Sequence, residues 1–289
     1  LIISNDISST RVNQLKQNVE RMGLTNVIIT NHEPSFFLKN FQNFFDKVIL
    51  DTPCSGTGMY RKEKELEEDF SFEKLERLLP LQQELLEIAN KLLKDGGTLS
   101  YSTCSFSQKE DEEQINNFLK NNNNYNIIDL PDDKSFFKTS GPGIYLLPIF
   151  FQGEGQYICL LKKGGQLESN PTLKEKKITY KNKEWFISHY FKSIEKLEPQ
   201  VIGVQLYNEK EKSTYSHAYS HTLKDYLNKI ILTDENEALD YLHGDEININ
   251  STKKGEVLVF YKKLPLGWGK ASQGKLKNYL PKGIRLQSR

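Results

Sequence analysis

Two apolar runs, Phe45 to Leu50 and Thr98 to Ser102, each lead into a turn of small polar residues, and a long helical pattern lies between them. The turns are Asp51-Thr52-Pro53-Cys54-Ser55-Gly56-Thr57-Gly58 and Thr103-Cys104-Ser105. Strand, helix, strand in that order suits a parallel pair joined by a crossover, and strands buried on both faces read as continuous apolar runs. Open α/β sheets bind ligands at the carboxyl ends of such strands. Cys54 and Cys104, fifty residues apart, both fall at that address.

The pattern extends along the first half of the chain. Leu1 to Ser4 reads as the end of a strand, and an amphipathic helix follows from Ser9 to Met22, with Val12, Leu15 and Val19 on one face and Gly23 at its end. Asn26 to Thr30 predicts a second strand. Phe72 to Leu93 predicts a helix or a helix pair broken near Pro80, because proline removes a helical N–H and its ring crowds the preceding turn. Gly96-Gly97 then turns into a strand, Gln108 to Leu119 is helical, and Asn126 to Leu130 with runs near Tyr145 and Tyr157 completes an α/β pattern. The expected domains are 1–165, a linker at 166–177 opened by the polar stretch after Gly164-Gly165, and 178–289. In the last, short β runs (Val201 to Leu206, Ile247 to Ile249, Glu256 to Tyr261) alternate with helices (His221 to Leu227, Glu235 to Leu242).

Composition excludes several classes. At 37% hydrophobic and 27% charged the chain is ordinary for a globular protein, and no run approaches twenty apolar residues. Neither a membrane span nor a secretory signal is predicted, and the expected location is cytoplasmic. Three cysteines in 289 residues argue against a disulfide framework. Cys159, inside Tyr157-Ile158-Cys159-Leu160-Leu161, reads as a core residue. The histidines read as scattered, and no metal site is predicted. The net charge of +1 hides an asymmetry: from Ser251 to Arg289 ten Lys and Arg stand against the single Glu256, with Tyr261, Trp268 and Tyr279 interleaved. Such a tail suits phosphate contact and base stacking, and a solvated basic face is the plainer reading.

The segments Asp51 to Gly58, continued by Met59-Tyr60-Arg61-Lys62, and Tyr101-Ser102-Thr103-Cys104-Ser105, followed by Gln108, Glu110 and Glu113, resemble the Sun family of RNA cytosine-5 methyltransferases. The likeness is closest to its RsmF-like ribosomal-RNA branch. It continues through Gly153-Glu154-Gly155 and into Pro265-Leu266-Gly267-Trp268-Gly269-Lys270 and Leu276 to Gly283, so it covers most of the chain. The resemblance implies a Rossmann-like methyltransferase sheet dependent on S-adenosylmethionine, followed by a small α+β RNA-binding domain of the PUA-like type. It also implies the chemistry. Carbon 5 of cytosine is a poor nucleophile until a thiolate adds to carbon 6, and after methyl transfer the carbon 5 proton must leave so that the thiolate can depart.

In that family the attacking thiol lies in the Thr-Cys-Ser element, which implies Cys104 as nucleophile and Cys54 as the residue that aids release. DNA cytosine methyltransferases use a Pro-Cys nucleophile instead, which keeps Cys54 as the rival. Asp51 would polarise the base or meet the methionine end of the cofactor, or else cap its strand, and Pro53 would shape the pocket there. Asp6 matches the family's ribose-binding acid, although capping the Ser9 helix is an equal reading. Members from Gram-negative bacteria carry an Asp-Gly pair where this chain has Asn31-His32-Glu33-Pro34, so the adenine contact is open between Asn31 and Glu33. Arg61 and Lys62 would hold RNA phosphates or be solvated charges, and Trp268, Lys270, Lys277, Lys282 and Arg285 would contact RNA from the tail.

The family's Pro-Gly-Gly-Lys-type cofactor loop would precede Leu1. The resemblance therefore implies a sheet that lacks its first strand, and a polypeptide that binds S-adenosylmethionine weakly or not at all by itself. A non-catalytic RNA-binding or ribosome-assembly protein on the same scaffold is the second reading. An amino-group methyltransferase would want an Asp/Asn-Pro-Pro-aromatic element at Asp51 and ranks behind both. The expected partner is RNA, ribosomal by the branch resemblance, with transfer RNA open because related enzymes act there.

Overall fold

The computed structural model describes residues 1–65, 71–130, 136–138, 141–150, 152–167, 174–207 and 214–286. In chain order the elements are β1 (Ile2–Asn5), α1 (Ser9–Met22), β2 (Val27–Thr30), β3 (Phe45–Asp51), α2 (Phe72–Leu92), β4 (Leu93–Thr103), α3 (Glu112–Asn121), β5 (Tyr125–Ile127), β6 (Phe136–Phe137), β7 (Ile144–Leu146) and β8 (Gln156–Lys163). There follow β9 (Lys176–Tyr180), β10 (Lys183–Ile187), β11 (Val201–Ile202), β12 (Val204–Gln205), α4 (His217–Ser220), β13 (Lys229–Leu232), α5 (Glu235–His243), β14 (Ile247–Asn248), β15 (Gly255–Tyr261), β16 (Leu264–Ser272) and β17 (Lys275–Asn278). Contacts divide the chain into two units, residues 34–170 and residues 1–33 with 171–289.

The first unit carries a mixed sheet in the order β3-β4-β8-β7-β6, with β5 also on β8. The β3–β4 pair is parallel, with Asp51 opposite Ser102, and β8 runs antiparallel to β4, with Tyr101 opposite Cys159. Leu86 and Ala89 of α2, Ile115 and Phe118 of α3, and Leu99, Tyr101, Tyr157, Cys159 and Leu161 of the sheet form one core cluster. Cys159 is fully buried there, as expected.

Three local expectations change. Ser71 caps α2 by accepting the Lys74 N–H, and the helix runs unbroken through Pro80. Pro80 is exposed, so water can satisfy the carbonyl it frees, while Leu75, Leu85, Leu86, Ile88, Ala89 and Leu92 bury the opposite face. β4 begins at Leu93 rather than after Gly96-Gly97, because Gly96 takes a left-handed φ of 72° and gives its N–H to Gly164. Helix α3 starts four residues later than the sequence suggests, since Ser107 to Asp111 form turns that carry Glu110 and Asp111 into the interior.

In the other unit, Ser8 rather than the expected Asp6 caps α1 by accepting the Arg11 N–H, and Gly23 ends the helix at φ 60°, as expected. β1 and β2 form a sheet with β11. The expected run Val201 to Leu206 is split at Gly203, whose φ is 63° and whose N–H bonds to Val27. A Cβ there would stand 2.3 Å from the Phe186 carbonyl oxygen, so only glycine lets β11 join β2 while β12 joins β10. The five-stranded sheet β13-β15-β16-β17-β14 buries Val257, Val259, Ala271 and Leu276 against α5. No helix forms from His221 to Leu227; Ser216 caps the shorter α4, and Tyr226 is drawn onto Trp268, ring centroids 5.2 Å apart. No described helix is long and apolar enough to cross a membrane.

Candidate active site

Parallel pairing of β3 and β4 brings the two turns side by side. The pairing continues past the strands, with the Thr52 N–H and hydroxyl both donating to the Ser102 carbonyl at 3.0 Å. Cys54 Sγ and Cys104 Sγ then lie 3.0 Å apart, and the Cys104 N–H reaches Cys54 Sγ at 3.2 Å. Both thiols are free and half-buried. The hydrogen bond to Cys104, with burial, raises the Cys54 thiol far above the ordinary range, while Cys104 is lowered, chiefly because Cys54 donates to its sulfur. The two sulfurs share one hydrogen bond and titrate as a pair, with Cys54 shifted up and Cys104 down.

The pair opens on a cavity of about 460 Å³ bordered by Asp51, Pro53, Met59, Leu146, Glu154 and Gln156. Asp51 is exposed at the carboxyl end of β3 and accepts one hydrogen bond, from the Ser102 hydroxyl at 3.1 Å. The cavity wall closes through close backbone approach: Gly58 N–H donates to the Cys104 carbonyl and Gly155 N–H to the Gly58 carbonyl, each at 2.9 Å. A Cβ on Gly58 would come within 2.6 Å of the Gly155 carbonyl oxygen and 2.9 Å of that of Cys104. Gly58→Ala is therefore expected to destabilise this unit by roughly 1–3 kcal/mol through overpacking, measured as a lower urea midpoint. An unchanged midpoint would show that the two turns can separate freely.

Arg61 is spent within this wall, donating to the Gly153 carbonyl at 2.8 Å and to Glu154 at 3.0 Å, and Lys62 is exposed beside it. Buried carboxyl groups lie beneath the thiols. Glu110 accepts from Ser55 and Ser105, the residues that follow the two cysteines, at 2.5 and 2.6 Å. Asp111 accepts from the Thr103 hydroxyl at 2.5 Å, and the Tyr145 hydroxyl lies 3.0 Å from Asp111 and 2.7 Å from Glu112. Burial pushes the Asp111 carboxyl up to about 8. The sequence carried Glu110 only as part of a motif and gave Asp111 and Glu154 no role.

The remaining expected residues belong to the other unit. Asp6 accepts the Ser8 N–H and the Arg11 guanidinium, each at 2.7 Å, and Arg11 holds its carboxyl below the usual range. The Asn31 amide donates to the carbonyls of Asp6 and Ile7, and Glu33 is exposed. Toward S-adenosylmethionine the residues fit unevenly: Asp51 offers an open carboxylate oxygen at a strand end, whereas both Asp6 oxygens already hold partners. Trp268 is 4% exposed, gives its indole N–H to the Ser216 carbonyl at 2.9 Å, and stacks on Tyr215. It is a core residue of its domain rather than an open stacking platform. Lys270 and Lys277 are exposed directly across the β16–β17 pair, Lys282 is exposed, and the Arg285 Nε donates to the Leu280 carbonyl. His217 and His221 are not scattered: they stand four apart with Nε2 atoms 2.9 Å from each other, and no third metal-ligating side chain joins them among the described residues.

A mixed sheet with a strand-end thiol pair and an open carboxylate beside it is consistent with the S-adenosylmethionine-dependent methyltransferases, the class to which the family comparison assigns the chain. The family model described as 16S rRNA methyltransferase RsmB/F matches residues 1–162, and that of the methyltransferase RsmF PUA domain matches residues 228–286. The chain belongs to the RsmB/F family of 16S rRNA methyltransferases. It is 29% identical to ribosomal RNA small subunit methyltransferase F of Shewanella woodyi and 27% identical to that of Aeromonas salmonicida, in each case over 98% of this chain and 68% of the relative. The solved structure of PH0851 aligns with a TM-score of 0.52 at 30% identity, over 56% of this chain and 36% of that one.

Proposed function

We propose that this protein transfers a methyl group to carbon 5 of a cytosine in RNA, through a covalent adduct on Cys104. The observation that carries this reading is the 3.0 Å approach of two free thiols at adjoining strand ends, with the charge favoured on Cys104. Cys104 Sγ adds to carbon 6 of the base, which makes carbon 5 nucleophilic; after methyl transfer water takes the carbon 5 proton, the carbon–sulfur bond breaks with its electron pair returning to Cys104, and the Cys54 thiol aids that release by hydrogen-bonding the departing sulfur. Asp51 orients the base or the cofactor from the strand end, beside Pro53. S-adenosylmethionine supplies an electrophilic methyl group, and Asp51, with its open carboxylate oxygen at the strand end, is the residue beside the thiols that would meet it. Three free cysteines suit the reducing cytoplasm.

The domain division 1–165, 166–177 and 178–289 goes with this reading and is supported by the extents of the two family models. The second domain would hold RNA through Lys270, Lys277, Lys282 and Arg285, since like charges placed opposite each other across two strands repel unless an anion lies over them. Ribosomal RNA is the proposed substrate, after the names of the relatives. Bisulfite sequencing of total RNA, with and without the full-length gene, tests it. One protected cytosine in 16S ribosomal RNA should disappear on deletion. Loss at a transfer RNA position instead, or at none, would overturn the assignment.

A further inference from the structure

Glu110 is 0% exposed, yet no Lys or Arg pairs with it among the described residues. Burying a carboxyl group without a cation is costly, and an apolar side chain would fill the same space at less expense. What it receives are neutral donors from both cysteine turns. The Ser55 N–H reaches Oε1 at 2.8 Å, the Ser55 hydroxyl reaches Oε2 at 2.5 Å, and the Ser105 hydroxyl reaches Oε2 at 2.6 Å. Gln82 on α2 donates to Oε1 at 3.2 Å and also to the Pro53 carbonyl at 3.0 Å, so the clasp reaches the residue before Cys54 as well. The backbone of Glu110 is itself anchored, its N–H to Ser107 and its carbonyl to the Tyr101 hydroxyl at 2.6 Å.

We propose that Glu110 is a positioning residue for the thiol pair: by gripping Ser55 and Ser105 together it sets the Cys54–Cys104 separation, and through it the ionisation of the attacking sulfur. This rests on the reading of Cys104 as nucleophile. Ser55 and Ser105 are each one residue from a thiol, and their hydroxyls are 3.1 Å apart, so a change in their spacing passes directly to the sulfurs. Other groups act on the same pair. Asp51 from β3 and Glu110 itself oppose a charge on Cys104, and the Cys54 hydrogen bond is the largest influence favouring it. Loosening the clasp removes that largest influence, so the expected sign is a less acidic Cys104 even though one opposing charge is lost.

The test needs neither RNA nor methyl donor. Alkylation of Cys104 by iodoacetamide, resolved by peptide mass spectrometry, is followed against pH in wild type, Glu110→Gln, Cys54→Ala and the double variant. Glu110→Gln should raise the midpoint by about one unit, roughly tenfold slower alkylation at neutral pH. In the Cys54→Ala background the same substitution should add nothing, because the partner through which Glu110 acts is gone. An unchanged profile in the wild-type background overturns the proposal, and so does an equal shift in both backgrounds, which would mark a merely local loosening. If Glu110→Gln does not fold, the Ser55→Ala/Ser105→Ala variant removes the two hydroxyl grips and should give the same shift. Failure of the cytosine reading would appear separately, as the absence of any RNA adduct, and would leave the alkylation result standing.

Discussion

Cys54→Ala protein should accumulate a covalent RNA adduct that survives denaturing electrophoresis, and Cys104→Ala protein should form none. The reason is the division of labour at 3.0 Å. Both thiols border the cavity; in the proposed mechanism Cys104, whose thiol is shifted down, would add to carbon 6, and Cys54, whose thiol is shifted up, would be needed only after transfer. Removing the proposed attacker should lower methylation by on the order of 10³-fold or more, because burial disfavours the thiolate of the remaining thiol, Cys54. Removing Cys54 should stop turnover at the adduct stage. The experiment uses the full-length enzyme with its RNA and methyl donor. Adduct formation by Cys104→Ala would transfer the nucleophile to Cys54, the alternative known from Pro-Cys enzymes.

A second large effect is expected on stability against pH. Asp111 is fully buried and its folded carboxyl titrates at about 8, against 3.8 for the ordinary group. The folded state therefore holds the proton more tightly than the unfolded chain. Its stabilising contribution is complete below about pH 4, declines as pH rises toward 8, and is gone above that. Within the window the slope is on the order of 1 kcal/mol per pH unit. Asp111→Asn imitates the protonated side chain, keeping an acceptor for Thr103 and a donor toward Tyr145, and should remove the slope. Urea titrations at pH 5 to 8 can follow the unit of residues 34–170 through protection of buried Cys159 from a thiol reagent. A wild-type to variant difference that stays constant with pH would sink the argument.

Much of the fold was legible because it is local. The Val12, Leu15, Val19 stripe with Gly23 after it gives α1 at its observed bounds, and the apolar runs at Phe45 and Thr98 give strands that do pair in parallel. Errors fell where a distant partner overrode a local rule. Pro80 stays helical because its freed carbonyl faces water and the far side of α2 is packed. Trp268 reads as an RNA-stacking aromatic beside lysines, but Ser216 and Tyr215, more than fifty residues earlier, take its indole into the core.

The sequence by itself determined that two thiols stand at the carboxyl ends of two buried strands joined by a helical crossover, since strand periodicity and small polar turns act over a few residues. Only the tertiary structure decided that those ends meet and that Glu110 ties them together. Each of those depends on hydrogen bonds and burial between residues about fifty positions apart, and neither the register of a parallel pair nor the desolvation of a carboxyl group is written in any local stretch of chain.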